Sequence, residues 1–247
     1  MGQDLNAPII HVTDPIAGAG LSGHPLCRMA AWPPGVSCTD VAFTPAEAER
    51  LGRMKSTRRK AEMEGSFALR RRLIAAMAGG APEEVRMSSA EGGAPVLLQP
   101  AGWAMSLANK DACTVVALAA APAQIGVDIE IVREMDWRPA LSMMSSDAER
   151  AQFEGAPGAP ASKLRAFYRM WTLKEAVLKS TGRGFRAGPQ AVEIPWALLL
   201  SPGAGMLRAF GGTFDFWTAD TSDAVVSLVQ KRGWSGFRKA TESGLHS

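Results

Sequence analysis

One order of signals occurs twice along this chain, and that repetition restricts the fold more than any other feature. Thr44-Pro45-Ala46-Glu47 reads as a helix start. The threonine can cap, the proline suits the first helical position, and the glutamate completes a capping box. Helical sequence follows, with a break placed near Ser56-Thr57. Phe67, Leu69, Leu73, Ile74 and Met77 then form a partial apolar stripe before Gly79-Gly80 stop it. Ser146-Asp147-Ala148-Glu149 is a second capping box, leading through the flexible patch EGAPGAPAS into a long helix that ends at Gly182. Each helical stretch is followed, after an intervening segment, by a similar short string. The strings are Asp111-Ala112-Cys113-Thr114-Val115-Val116-Ala117-Leu118 and Asp223-Ala224-Val225-Val226-Ser227-Leu228, and both read as strands entered from a turn. Matching order and spacing predict a duplicated α+β unit with its junction near Pro122. The halves, residues 1–121 and 122–230, would pack face to face with a ligand in the cleft between them. Residues 14–36, rich in Gly and Pro, read as irregular chain, and residues 231–247 as a frayed tail.

Composition narrows the classes of function. A net charge of +3 is too small for a general nucleic-acid binder. No apolar run is long enough to span a membrane, and no basic region followed by an apolar stretch opens the chain. Cys27, Cys38 and Cys113 are an odd, widely spaced set, so a disulfide framework or zinc site is not expected and a reducing cytoplasm is. Arg50, Arg53, Lys55, Arg58, Arg59, Lys60, Arg70, Arg71 and Arg72 crowd into one segment. Such a run is either a solvated helix face or a local phosphate-binding surface, and composition alone leaves both open.

Two constellations carry chemistry. In Ile125-Gly126-Val127-Asp128-Ile129-Glu130-Ile131, apolar and small or acidic residues alternate, which predicts a strand with one buried face. Asp128 and Glu130 then project from one side, about 7 Å apart along the strand. Following a glycine that admits close approach, the pair could hold a hard divalent ion, or could be the ordinary polar face of a half-exposed strand. The second constellation is the helix LRAFYRMWTLKEAVLKS, Leu164 to Ser180, on which Leu164, Phe167, Tyr168, Trp171 and Leu178 cluster to one side. Glu175 falls in the middle of that cluster, with Lys179 one turn further and Lys174 at its edge. A carboxylate among apolar residues needs a cation or hydrogen-bond donors; a metal, Lys179 or a buried arginine would each serve. Taken together, three oxygen ligands and nearby positive charge suit a magnesium ion with a pyrophosphate substrate.

Gly126-Val127-Asp128-Ile129-Glu130 and Trp171-Thr172-Leu173-Lys174-Glu175-Ala176-Val177-Leu178-Lys179, closed by Gly182-Arg183-Gly184, resemble the 4′-phosphopantetheinyl transferase superfamily. Length and the suspected duplication are similar to the surfactin-synthetase-activating type, a single-chain pseudo-dimer. The resemblance implies a pseudo-two-fold dimer in one chain, each half a long helix packed on a small antiparallel sheet. It implies transfer of 4′-phosphopantetheine from coenzyme A to a serine of an apo acyl or peptidyl carrier protein by a cytoplasmic, magnesium-dependent monomer, without nucleic acid or membrane. It assigns Asp128, Glu130 and Glu175 as magnesium ligands, Glu175 also as base, and Asp128, Glu175 and Lys179 as the catalytic set. Lys179 would contact the phosphates, with Arg53, Arg71, Ser106 and Lys174 as further coenzyme-binding positions.

Two positions depart from the family pattern. Gly93-Ala94-Pro95 stands where Gly-Lys-Pro is usual, and Ser106-Leu107 where Ser-His is usual. Both missing side chains normally help hold the coenzyme 3′-phosphate, so a weaker dependence on that phosphate is expected, with Arg53, Lys110 or another basic residue compensating in part. Two rival readings stay open: a non-catalytic binder of coenzyme A or a carrier protein, and a metal-dependent pyrophosphate hydrolase.

Overall fold

The structure, a computed structural model, describes residues 9–10, 25–32, 43–90, 93–182 and 188–233. Most of the expected irregular stretch 14–36, the Arg183-Gly184 part of the second motif, and the tail beyond Gly233 lie outside the described residues.

Both helix starts form as their sequences require. Thr44 caps α1 (Pro45–Gly52), and Glu47 returns a carboxylate to the Thr44 N–H. Ser56 caps α2 (Thr57–Ala78), so the break expected near Ser56-Thr57 is a true interruption. Ser146 and Glu149 make the same reciprocal box at the start of α4 (Asp147–Gly155), which follows α3 (Arg138–Met144). The patch EGAPGAPAS is mostly helical at its ends: α4 runs to Gly155 and α5 (Pro160–Ser180) opens on a proline at its first position.

Two antiparallel four-stranded sheets carry these helices. The first joins β1 (Ile9–Ile10), β2 (Leu26–Ala31), β5 (Trp103–Lys110) and β6 (Cys113–Ala120) in the order β1-β2-β6-β5. The second joins β7 (Ile125–Ile131), β8 (Gly203–Ala209), β9 (Gly212–Asp220) and β10 (Ala224–Lys231) in the order β7-β10-β9-β8. A separate hairpin pairs β3 (Arg86–Ser89) with β4 (Pro95–Gln99). β10 runs through Lys231, and Arg232 pairs with Asp215, so the ordered chain extends slightly past the boundary expected at residue 230.

Three apolar clusters stack the layers. Ala68, Leu69, Leu73 and Ile74 of α2 pack on Val116 and Leu118 of the first sheet. Phe167, Leu173, Ala176 and Val177 of α5 pack on Val225 and Val229 of the second. Between the sheets, Met29, Val115 and Ala117 meet Val127, Ile129, Val226 and Leu228. β7 is therefore covered on both sides, and the half-exposed strand expected from its alternation is not what forms: Asp128 is 7% exposed. The reason is Gly126, at which α5 lies so close that an added Cβ would stand 1.9 Å from the Ala176 carbonyl oxygen.

The basic run divides. Arg53 and Arg58 are exposed and paired within their own helices to Glu49 and Glu62. Arg71 is buried, bound to the Glu47 carboxylate at 2.5 Å and to the Phe67 carbonyl, and Arg70 shares Glu47. Among the described residues, no helix is long and apolar enough to cross a membrane.

Candidate active site

The site lies where the two sheets meet edge to edge. β5 packs along β7, and the Ser106 hydroxyl accepts a hydrogen bond from the Val127 N–H at 3.0 Å. This bond gives a partner to an amide on the open edge of β7, one residue before Asp128. From the other side, α5 contributes a stripe at helical spacing, Trp171, Glu175 and Lys179, whose members are all half-buried while their neighbours are covered.

Three acids share this seam. Lys179 Nζ lies 2.7 Å from Asp128 Oδ1 and 3.1 Å from the Val127 carbonyl. Lys110 Nζ, from the end of β5, lies 2.6 Å from Glu130 Oε2. Asp128 Oδ2 is buried and has no hydrogen-bond partner. Burial pushes the Asp128 carboxyl up to about 6; Lys179 opposes the shift and Glu130 adds to it. Burial also raises Glu175, and the Asp128 and Glu130 charges raise it further.

Among the described residues, no three His, Cys, Asp or Glu side chains are gathered as a ready metal-binding group. The three-ligand cluster expected from the sequence is not closed here, because two of its acids are turned to lysines. The donor set nevertheless fits a hard cation. All three groups are carboxylates, they repel one another, and one buried oxygen lacks any donor.

The raised Asp128 value gives a stability prediction for protein in a chelator. Its carboxyl is favoured protonated in the fold, so its contribution is fully present below about 4 and is lost as pH rises through about 6. Urea unfolding should show about 3 kcal/mol of stability lost over that interval. The loss should be absent from Asp128→Asn. An identical pH slope in the variant would place the titration elsewhere.

Other expected positions sit differently. Glu175 does not stand in the middle of the apolar face of α5. Small residues (Ala176, Ser180) and a charged one (Lys174) are among the buried positions, so the large apolar side chains alone misplace the buried arc. Lys174, one of the expected coenzyme-binding positions, is turned away from the three acids. It is fully buried, 2.7 Å from Glu149 Oε2 and bound to the Pro189 and Val192 carbonyls, 100° around the helix from Glu175. Glu149 in turn accepts from the Ser146 and Ile194 amides. Lys174 thus ties α4 and the segment after α5 to the helix, and its ammonium is used up there. Lys174→Met should cost about 3 kcal/mol in urea unfolding, since Glu149 remains buried without its cation.

Arg71 is likewise held by Glu47 inside the first half, and Arg53 stands at the exposed C-terminal end of α1. Neither is brought to the three acids by any contact. Leu107 packs against the core beneath α2, and Ala94 is exposed just before β4. Lys110, which makes a direct contact with an acid of the seam, carries no local signature. It is a lysine at a strand end, and only the packing of β5 on β7 brings it there.

Residues 124–228 match the family model described as the 4′-phosphopantetheinyl transferase superfamily. The segment contains Asp128, Glu130, Glu175 and Lys179. Over 70 residues the chain is 37% identical to 4′-phosphopantetheinyl transferase AcpT of Salmonella typhimurium, covering 28% of this chain and 35% of that one. It is 29% identical over 107 residues to 4′-phosphopantetheinyl transferase psf-1 of Bacillus pumilus, 43% of either chain. The chain thus spans between a third and a half of the length of these curated relatives.

Proposed function

We infer that this chain, whose residues 124–228 match the model of the 4′-phosphopantetheinyl transferase superfamily, transfers the 4′-phosphopantetheine arm of coenzyme A to a serine of an apo carrier protein. One observation carries the reading. The matched segment brings Asp128, Glu130 and Glu175 to one seam, beside Lys179, with a buried Asp128 oxygen left without a donor.

Asp128, Glu130 and Glu175 would hold a magnesium ion, which supplies charge neutralisation at the pyrophosphate as the bond breaks. Lys179, one-third exposed and already facing the seam, would turn from Asp128 to a phosphate oxygen. Glu175 has a carboxyl held above its ordinary range and, among the described residues, no cation at ion-pair distance. It is the residue suited to take the proton of the carrier serine. The serine oxygen then bonds to the β-phosphorus, the bond from that phosphorus to the bridging oxygen breaks, and 3′,5′-adenosine bisphosphate leaves with the electron pair. The carrier would approach along α5. A hollow of about 1240 Å³ beside its N-terminal turn is lined by the apolar Met135, Trp137 and Leu164, with Arg138 and Lys163 balanced by Glu134 and Glu154. From Leu164 to Glu175 the helix rises about 16 Å.

The two halves support a duplicated origin, and with it the single-chain surfactin-synthetase-activating type. β2-β6-β5 and β7-β10-β9 share one order, and each half places a capping-box helix and a long helix between its first strand and its last hairpin. In each, the capping-box glutamate also binds a basic residue of the long helix: Glu47 with Arg71, Glu149 with Lys174.

The test is intact mass measurement of an apo carrier protein incubated with this protein, coenzyme A and magnesium. A gain of one phosphopantetheine is the expected result. No gain with coenzyme A bound would favour a binder, and coenzyme cleavage without an acceptor would favour a hydrolase.

A further inference from the structure

The two lysines of the seam come from different halves. Lys179 of α5 neutralises Asp128, and Lys110 of β5 neutralises Glu130. A second ion pair crosses the same boundary, Arg133 to Asp111 at 2.6 Å, but it touches none of the three acids. Lys110 is held in position by its surroundings. It immediately precedes the turn at Asp111, and the Asn109 side-chain oxygen accepts from the Ser66 and Thr114 hydroxyls, which ties that turn to α2. The ammonium is 39% exposed at its side chain, against 16% for Glu130, so it can swing outward while the carboxylate cannot.

We propose that Lys110 is a positioning residue that stands in for the metal at Glu130, and that it yields the carboxylate only when a divalent ion and the coenzyme phosphates arrive together. This rests on the transferase reading above. Three carboxylates in one partly dry seam repel one another, and a cation from the first half keeps Glu130 turned inward before any metal is present. The same contact competes with the metal for that oxygen. Once displaced, the ammonium lies at the exposed edge of the seam, where an anionic phosphate is its natural partner. Metal and coenzyme therefore help each other bind, because each relieves a cost of the other.

Manganese binding to the full chain, followed by electron paramagnetic resonance with and without coenzyme A, tests this. In Lys110→Met, manganese alone should bind roughly two- to fivefold more tightly than in the native protein, the size expected for losing a partly exposed ion-pair competitor. The extra tightening that coenzyme A gives should shrink by a similar factor. Lys110→Arg keeps the charge and should restore near-native values. Arg133→Met loosens the same boundary without touching the acids and should leave manganese affinity unchanged. If native protein binds manganese and Lys110→Met binds it equally or more weakly, the proposal is overturned while the metal site stands. If Arg133→Met tightens binding as much as Lys110→Met, boundary loosening explains the effect and the proposal also falls. If native protein binds no manganese at all, the transferase reading itself fails.

Discussion

Glu175→Gln should lower the rate of carrier modification at saturating magnesium and coenzyme A by at least about a hundredfold, the ordinary contribution of a positioned proton acceptor. The replacement keeps the size of the side chain and its capacity to hydrogen-bond, and the position is half-buried on a stripe of α5 that packs little of the core. Folding should therefore be unaffected. Metal-free stability should even rise slightly, because one of three mutually repelling carboxylates becomes neutral. Under the proposed mechanism the loss should fall on kcat, since the carboxylate would act only once both substrates are seated. Magnesium titration separates its two assigned roles. If the deficit disappears at high magnesium, Glu175 serves the metal alone and the proton goes elsewhere. If it persists at every concentration, the carboxylate is needed as a base.

The contrast with Asp128 sharpens this. Asp128 is buried, paired to Lys179 and carries an oxygen with no donor, which suits it to the proposed part of a metal ligand. Glu175 has no such pair among the described residues and sits on the more open side of the seam. The same chemical group thus has two environments, and it is the environment that separates a ligand from a proton acceptor.

How much of this was legible in the sequence depended on whether the signal was local. The capping boxes at Thr44 and Ser146, the break before Thr57 and the strand Ile125–Ile131 all formed where short-range chemistry put them. That Asp128 and Glu130 share one side of their strand was legible because alternation fixes which residues share a strand face. Glu175 is singled out in the sequence for a reason the structure does not support. It stands out among large apolar residues in sequence, yet lies on the open stripe, because α5 is covered over a wide arc that includes Lys174 and small side chains. Lys174 itself could not be placed: its partner Glu149 lies on another helix, and nothing in LKEAVLK announces it. Lys110 fails in the same way, since its contact with Glu130 exists only through the packing of one sheet edge on the other.

Gly126→Ala should be the most damaging single methyl group that can be added to the site, costing about 4 kcal/mol or more in urea unfolding and removing transfer activity with it. Overpacking usually costs about 1–3 kcal/mol because side chains can move aside. Here the obstructing atoms are backbone. The new Cβ would meet the Ala176 carbonyl oxygen at 1.9 Å and the Ser180 amide nitrogen at 2.7 Å. Those two groups stand four residues apart, the spacing at which an α-helix closes its own N–H···O bond. Relief requires α5 to move off β7 by more than an ångström, and α5 is fixed on its far side by the Lys174–Glu149 pair. The displacement would carry Glu175 and Lys179 away from Asp128, so stability and site geometry should fail together. Gly155→Ala is the matched control: nothing lies within 4 Å of its added Cβ, and its stability should change little. If Gly126→Ala proved as stable as Gly155→Ala, the close seat of α5 on β7 would be wrong. With it would go the reason that a strand carrying two acids is buried on both faces.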